Sequence, residues 1–342
     1  MVVDDSALMR KIISDMINNE EDMEVVAVAK NGEELLEKLE AIKPQVITLD
    51  VEMPKMDGIT ALKEMKKRNL DIPVIMLSSI SNQGARQTID CLEKGAFDFL
   101  AKPSGTISLD IEKVKNDLIE KIRAAYDSNY ELKKNNENIY KPYIKKITSA
   151  SKNIKAVAIG ASTGGPKALY SIITKLPPDL DVPVFVVQHM PVGFTKAFAE
   201  RLNKNSKLKV IEAEENQSVE NNTVYIAPGG FHMIVTKERK IHLSTEPAIW
   251  GVRPAVDKLF FSVANVYGPN LLSVVLTGMG KDGAKGSQYI KEHGGTTFSE
   301  DECTCTIYGM PKAAYETGKI DLVLPLYEIA EEIVKVVRSK GR

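Results

Sequence analysis

An apolar run that breaks into a glycine-rich turn and restarts as a helix leaves a chain few ways to fold. Residues 155–166, KAVAIGASTGGP, are such a run. Ala156 to Ile159 is short, apolar and bounded like a buried strand. Gly160, Ala161, Ser162, Thr163 and Gly164 then spell G-x-S-x-G, and Pro166 suits the first turn of a helix spaced over Lys167 to Leu176. A strand that turns sharply into a helix lifts Ser162 onto an exposed corner, where backbone N–H groups at the helix start can face an oxyanion. A hydroxyl in that place needs a base for its proton and a group to orient the base.

The chain has four histidines, His189, His232, His242 and His293. His189 ends the buried-strand pattern VPVFVVQ, and Asp282 lies in GMGKDG directly after the apolar run Leu271 to Leu276. Ser162, His189 and Asp282 therefore each follow the C-terminal end of an expected strand, the edge where an open parallel sheet forms its sites. Their chain order differs from the Ser, Asp, His order of α/β-hydrolases. Each residue also has a plainer reading. The turn could cradle a phosphate, His189 could be a satisfied structural histidine, and Asp282 could cap a helix. His232 is the rival base. His242 alternates with apolar neighbours, and His293, near a helix end, suits a cation at a helix C-terminus. A loop carrying Trp250 and Arg253 could frame a substrate or simply pack on the surface.

GASTGGP, QHMP with the following GFTKAFAERLN, YIAPGG and LTGMGKDG occur in order through the second half of the chain. Together they resemble the chemotaxis protein-glutamate methylesterase family. The resemblance implies Ser162 as nucleophile, His189 as base and Asp282 as its orienter, with Thr163 and Met279 at the oxyanion site. It implies hydrolysis of the γ-methyl ester of receptor glutamates to glutamate and methanol, without a cofactor, and deamidation of particular receptor glutamines.

Residues 1–127 alternate strand and helix patterns, with expected strands at Val2–Val3, Glu24–Ala29, Val46–Leu49, Val74–Leu77 and Phe97–Ala101. Five such units imply a doubly wound parallel sheet. Its polar residues again gather at strand ends: Asp4 and Asp5, Asp50, Ser78 and Lys102. Clustered carboxylates suit Mg²⁺, and a lysine can neutralise an added phosphoryl group. Asp4 and Asp5 could instead merely cap the first helix. With DVEMPKMDG and the Lys102–Pro103 pair, this third of the chain resembles response-regulator receiver domains. That resemblance implies Asp50 as the phosphoacceptor, an acidic pocket of Asp4, Asp5 and Asp50, and Mg²⁺ held by Asp5, Asp50 and the Glu52 backbone. It implies Ser78 and Phe99 as switch residues and a chemotaxis histidine kinase as phosphodonor. Members of that family carry several residues ahead of VVDDS. The expectation is a shortened central strand in the order 2-1-3-4-5, hence either an upstream start or a weaker domain.

Composition bounds the rest. A length of 342 residues suits two domains, and 43% apolar content supports packed cores. A net charge of −1 gives no reason to expect nucleic acid as a partner. No apolar run reaches the length of a membrane span, so direct membrane insertion is not expected. Three cysteines, Cys91, Cys303 and Cys305, fit a reducing cytoplasm, and the last two lack a second ligand pair for a metal. The expected organisation is a receiver over 1–127, an exposed lysine- and asparagine-rich linker over 128–153 and a catalytic domain over 154–342. The catalytic domain reads as α/β with a mainly parallel sheet and an antiparallel edge hairpin through Glu238 and Arg239. The readings from other classes are a phosphate- or nucleotide-binding regulator and a non-catalytic receiver–effector protein.

Overall fold

The computed structural model describes residues 1–102, 109–134 and 153–339. These fall into two units, Met1–Asn138 and Ile139–Arg342.

In the first unit the order is β1 (Val2–Val3), α1 (Ala7–Asn18), β2 (Val28–Ala29), α2 (Gly32–Lys38), β3 (Ile47–Asp50), α3 (Gly58–Lys67), β4 (Val74–Ser78), α4 (Asn82–Glu93), β5 (Asp98–Ala101) and α5 (Leu109–Lys134). The strands form one parallel sheet in the order β2-β1-β3-β4-β5. The early helices start on side-chain caps: Ser6 accepts from Met9 N, Asn31 from Glu34 N, Asp57 from Thr60 N and Ser81 from Gly84 N. β1 is two residues long, as expected, yet both valines are fully buried and pair with strands on either side. β2 is much shorter than expected: only Val28 and Ala29 pair in register with β1, and ahead of them Ala27 O accepts from Val2 N at 3.1 Å. Leu118 and Ile119 of α5 are buried with Val2, Ile75 and Leu77, and Ile111, Val114 and Ile122 pack against them. α5 continues through Lys134, past the boundary expected at 127. The rest of the expected linker, up to 152, lies outside the described residues.

The second unit runs β6 (Ala156–Ala161), α6 (Gly165–Ile173), β7 (Val184–Gln188), α7 (Phe194–Asn205), β8 (Lys209–Glu212), β9 (Thr223–Ile226), β10 (His232–Val235), β11 (Ile241–Ser244), α8 (Val256–Tyr267), β12 (Leu271–Val275), α9 (Ala284–Glu292), β13 (Thr296–Glu300), α10 (Met310–Glu316), β14 (Leu322–Leu324) and α11 (Leu326–Arg338). Seven strands form a wholly parallel sheet in the order β14-β13-β12-β6-β7-β9-β8. The chain builds outward from β6 through β7, then returns to add β12 on the other side. The strand order therefore reverses at β6, and the crevice at the C-terminal ends of β12, β6 and β7 is the topological switch point. The antiparallel hairpin forms, but as a separate two-stranded sheet rather than an edge of the main one. Its buried Met233, Val235 and Ile241 share a core with Val256, Leu259 and Val263 of α8, and Val235 N donates to Ser262 Oγ at 3.1 Å. That apolar face is satisfied by a helix, so it does not need the sheet edge.

Candidate active site and acidic pocket

Ser162 follows β6, His189 follows β7 and Asp282 lies on the loop after β12. Parallel pairing puts the three ends together. Ala161 is in register with Gln188, and Val275 with Gly160. His189 N donates to Ala161 O at 3.1 Å, and Ser162 N donates to Thr277 O at 3.0 Å. Gln188, buried at the end of β7, donates from Nε2 to Ser162 O at 2.9 Å and to His189 O at 3.2 Å. One amide thus ties the serine turn to the histidine turn. The turn itself needs Gly164, whose φ of 78° lies in the left-handed region at the start of α6. Its neighbour Gly165 donates its N–H to Ser162 O at 2.7 Å, so that amide closes the turn and is not held out for a phosphate.

His189 Nε2 and Asp282 Oδ2 are 2.8 Å apart, and Asp282 is buried. The Asp282 carboxylate also accepts from Val256 N at 2.6 Å, Asp257 N at 2.8 Å and Gly283 N at 3.0 Å. Val256 and Asp257 are the first residues of α8, whose flanking Ala255 offers no side-chain cap. Asp282 caps that helix from another loop, and the orphan amides hold its negative charge. An ionised carboxylate fixed in this way takes the Nε2–H of His189, which leaves Nδ1 with the lone pair. His232 is fully buried and both its nitrogens are engaged: Nδ1 accepts from Ala255 N at 3.2 Å and Nε2 donates to Pro247 O at 3.1 Å. It is a structural histidine. His242 is exposed beside Glu215, and His293 ends α9 with Nδ1 2.8 Å from Tyr289 O.

Thr163 is buried, and Met279 sits half-buried on the loop after β12. Gly278 brings that loop against the serine, since a Cβ there would lie 2.7 Å from Ser162 Cβ. Gly309 N and Met310 N both donate to Gly278 O, at 3.2 and 2.8 Å. The Met279 N–H has no acceptor among the described residues.

In the first unit, Asp4 and Asp50 are buried and Asp5 is exposed. Lys102 Nζ bridges Asp4 Oδ2 and Asp50 Oδ2, each at 2.7 Å. Asp50 Oδ1 accepts from Glu52 N at 3.4 Å. Burial pushes the Asp50 carboxyl up to about 6 against the lowering pull of Lys102. Asp4, Asp5 and Asp50 each offer an oxygen within 4.8 Å of the others, a hard-oxygen set that fits Mg²⁺. Ser78 Oγ lies 2.6 Å from Thr88 Oγ1 on α4, and Phe99 is buried on β5.

A family model described as CheB methylesterase matches residues 157–333, and one described as response regulator receiver domain matches residues 1–112. A Clostridium acetobutylicum protein named protein-glutamate methylesterase/protein-glutamine glutaminase is 55% identical, over 100% of this chain and 98% of its own length. A Thermotoga maritima protein of the same name is 44% identical over 98% of each chain. This chain belongs to the CheB methylesterase family. The solved Thermotoga maritima CheB methylesterase catalytic domain aligns with a TM-score of 0.53 and 46% identity, over 54% of this chain and 99% of that one.

Several residues around the Ser162, His189 and Asp282 turns carried no sequence signal strong enough to single them out. Gln188 reads as the frayed end of an apolar strand. Asp257 reads as a first-turn acid on α8. It is buried, and burial first and the Asp282 charge second raise its carboxyl above the ordinary range. Glu300 closes β13 one residue beyond the expected strand end. It is fully buried, with Oε2 accepting from Thr277 N at 2.8 Å and Oε1 from Thr304 Oγ1 at 3.0 Å. Thr277 in turn holds Ser162 N through its carbonyl and Thr163 O through Oγ1, the latter at 3.0 Å. The signal available was two adjacent acids, Glu300 and Asp301, inside a β pattern. Cys303 and Cys305 are free thiols, and among the described residues they belong to no group of metal ligands.

Burial raises the Glu300 carboxyl from 4.5 to about 7. A carboxyl whose folded value lies above its unfolded value destabilises the fold as pH climbs from the unfolded value through the folded one. Glu300→Gln cannot ionise and still offers an acceptor to Thr277 N. The variant is therefore expected to gain stability over the parent between pH 5 and pH 8, by at most about 3 kcal/mol at the upper end. Denaturant unfolding at the two pH values measures it, and an equal difference at both would contradict the burial account.

Proposed function

We propose that the chain is a cytoplasmic protein-glutamate methylesterase and protein-glutamine glutaminase whose activity is set by phosphorylation of Asp50. The observation that carries the reading is the His189–Asp282 pair, 2.8 Å apart, at strand ends flanking the Ser162 turn. Ser162 Oγ attacks the ester carbonyl while His189 Nδ1 takes its proton. Asp282 holds the ring and offsets the charge that the ring acquires. Backbone N–H groups of Thr163 and Met279 receive the oxyanion. Methanol leaves with the proton from His189, and water then repeats the attack on the acyl-enzyme and frees the glutamate. A glutamine side chain passes through the same tetrahedral intermediate and releases ammonia. Methylated chemoreceptors are the substrate, and assay of methanol release from them tests the reading. Free cysteines support a reducing compartment, and no helix among the described residues is long and apolar enough to cross a membrane.

On the receiver, Asp5, Asp50 and the Glu52 backbone would hold Mg²⁺, which supplies charge to offset the incoming phosphoryl oxygens. Asp50 is the acceptor, donated to by a chemotaxis histidine kinase, and Lys102 stands beside it to pair with the new charge. Ser78, now bonded to Thr88, would turn to a phosphoryl oxygen, and Phe99 would repack with it. The receiver restrains the methylesterase until this happens. The fragment 154–342 is then expected to exceed the unphosphorylated full chain, by roughly 5- to 150-fold for a coupling of ~1–3 kcal/mol. Phosphorylation should narrow the gap. Rates of the two proteins on the same methylated receptors check it. A fragment no faster than the full chain would point to a receiver that activates by contact or delivers the enzyme to its receptors.

A further inference from the structure

Three exposed large apolar side chains share the edge that carries the triad. Val192, Phe231 and Trp250 are 60%, 37% and 44% exposed. Their loops touch one another. A Cβ on Gly230 would lie 2.8 Å from Val192 Cγ2, and one on Gly229 would lie 2.6 Å from the Pro191 backbone. Gly230 N donates to Arg253 O at 3.0 Å, on the loop that closes through the Ile249–Val252 bridge around Trp250. The indole is fixed in place, because Nε1 donates to buried Asp257 Oδ2 at 3.2 Å. Asp257 shares the Gly283 N–H with Asp282, each carboxylate at 3.0 Å. The exposed ring is thus anchored on Asp257, which meets Asp282, the partner of His189, at the Gly283 N–H they share. Two ammonium groups flank it, Lys281 Nζ 4.3 Å and Lys285 Nζ 5.2 Å from the ring centroid. Both lysines are exposed, and neither has a carboxylate partner among the described residues.

We propose that Val192, Phe231 and Trp250, with Lys281 and Lys285, form the docking surface for the protein segment that bears the ester, an amphipathic stretch with carboxylates flanking the modified glutamate. The proposal rests on the methylesterase reading and adds how the substrate's scaffold is recognised. An anchored indole supplies apolar contact at low entropic cost, which is the character of a binding hot spot. The unpaired lysines select a segment of opposite charge and fix its register. Each turnover also leaves a new carboxylate on the product, so a neighbouring demethylated position adds to the same attraction. A basic segment would instead bring like charges onto Lys281 and Lys285.

Trp250 is the only tryptophan in the chain, so its emission reports occupancy of this surface alone. The full chain carrying Ser162→Ala is titrated with a peptide holding a glutamate γ-methyl ester between flanking glutamates, and with the same peptide flanked by lysines. The acidic peptide is expected to give a saturable emission shift and the basic one none. Reversing both lysines (Lys281→Glu with Lys285→Glu) should raise the midpoint by roughly tenfold or more, and added salt should weaken the parent's binding. With Ser162 intact, Trp250→Ala should lower kcat/KM for the acidic ester peptide relative to a small uncharged ester by a similar factor. An acidic peptide that the parent hydrolyses, but that leaves the emission unchanged or ignores the charge reversal, overturns the docking surface and leaves the methylesterase reading standing. A parent that hydrolyses a small ester and neither binds nor hydrolyses the ester peptide overturns that reading and the surface with it.

Discussion

Replacing Ser162 or His189 by alanine is expected to lower methyl-ester hydrolysis by on the order of 10⁴-fold or more, with the fold intact. The size follows from the proposed division of labour. Without Ser162 there is no oxygen to acylate, and without His189 nothing near Asp282 takes its proton. Both residues sit on turns after their strands, and the main-chain bonds that hold those turns do not involve their side chains: His189 N to Ala161 O, Ser162 N to Thr277 O and the Gln188 clamp. His232→Ala is the contrasting control. Both its ring nitrogens serve the protein, so its loss leaves Ala255 N and Pro247 O without partners and should cost stability, on the order of 1–3 kcal/mol. Turnover of a small ester and thermal melting separate the two outcomes. A His189→Ala enzyme with near-parent turnover, alongside a folded but inactive His232→Ala, would reverse the assignment.

Asp50→Asn is expected to reduce phosphoryl labelling from a small phosphodonor in Mg²⁺ to background. In the proposed reaction the carboxylate is the nucleophile, and an amide in its place is a poor one. Lys102 sits 2.7 Å from Asp50 and from Asp4, so the pocket already holds the cation that an added phosphoryl group needs. Asp5→Asn leaves the acceptor in place and removes an exposed oxygen ligand, so it should weaken Mg²⁺ binding and slow labelling without abolishing it. Stable label on Asp50→Asn would place the acceptor elsewhere. In the variant, the gap between fragment and full chain should persist under phosphodonor.

The parts legible in the sequence are those where one period or one motif dictates the backbone. VAIGASTGGP allowed only a strand, a tight turn and a helix, and the structure places β6, Gly164 and α6 there. The apolar runs at 184–188 and 322–324 gave strands with those bounds because neither is offset by a competing helical spacing. That Ser162, His189 and Asp282 follow strand ends on one edge was legible because parallel sheets gather strand ends there. What escaped was set by long-range contacts. The hairpin looked like a sheet edge because alternation shows an apolar face without showing what covers it, and here α8 covers it. Glu300 and Asp257 escaped because burial of a carboxyl depends on amides supplied from distant parts of the chain, Thr277 for one and Gly283 with Gly286 for the other. The choice between His189 and His232 likewise turned on partners far along the chain, Asp282 and Pro247.

The most direct test of the central claim is methanol release from methylated chemoreceptor membranes by the parent chain and by Ser162→Ala. The account predicts release by the parent in step with loss of receptor methyl groups, and none above background by the variant. Release by Ser162→Ala at the parent rate, or a parent that releases none while a Ser162-directed acylating reagent still labels it, would contradict the account.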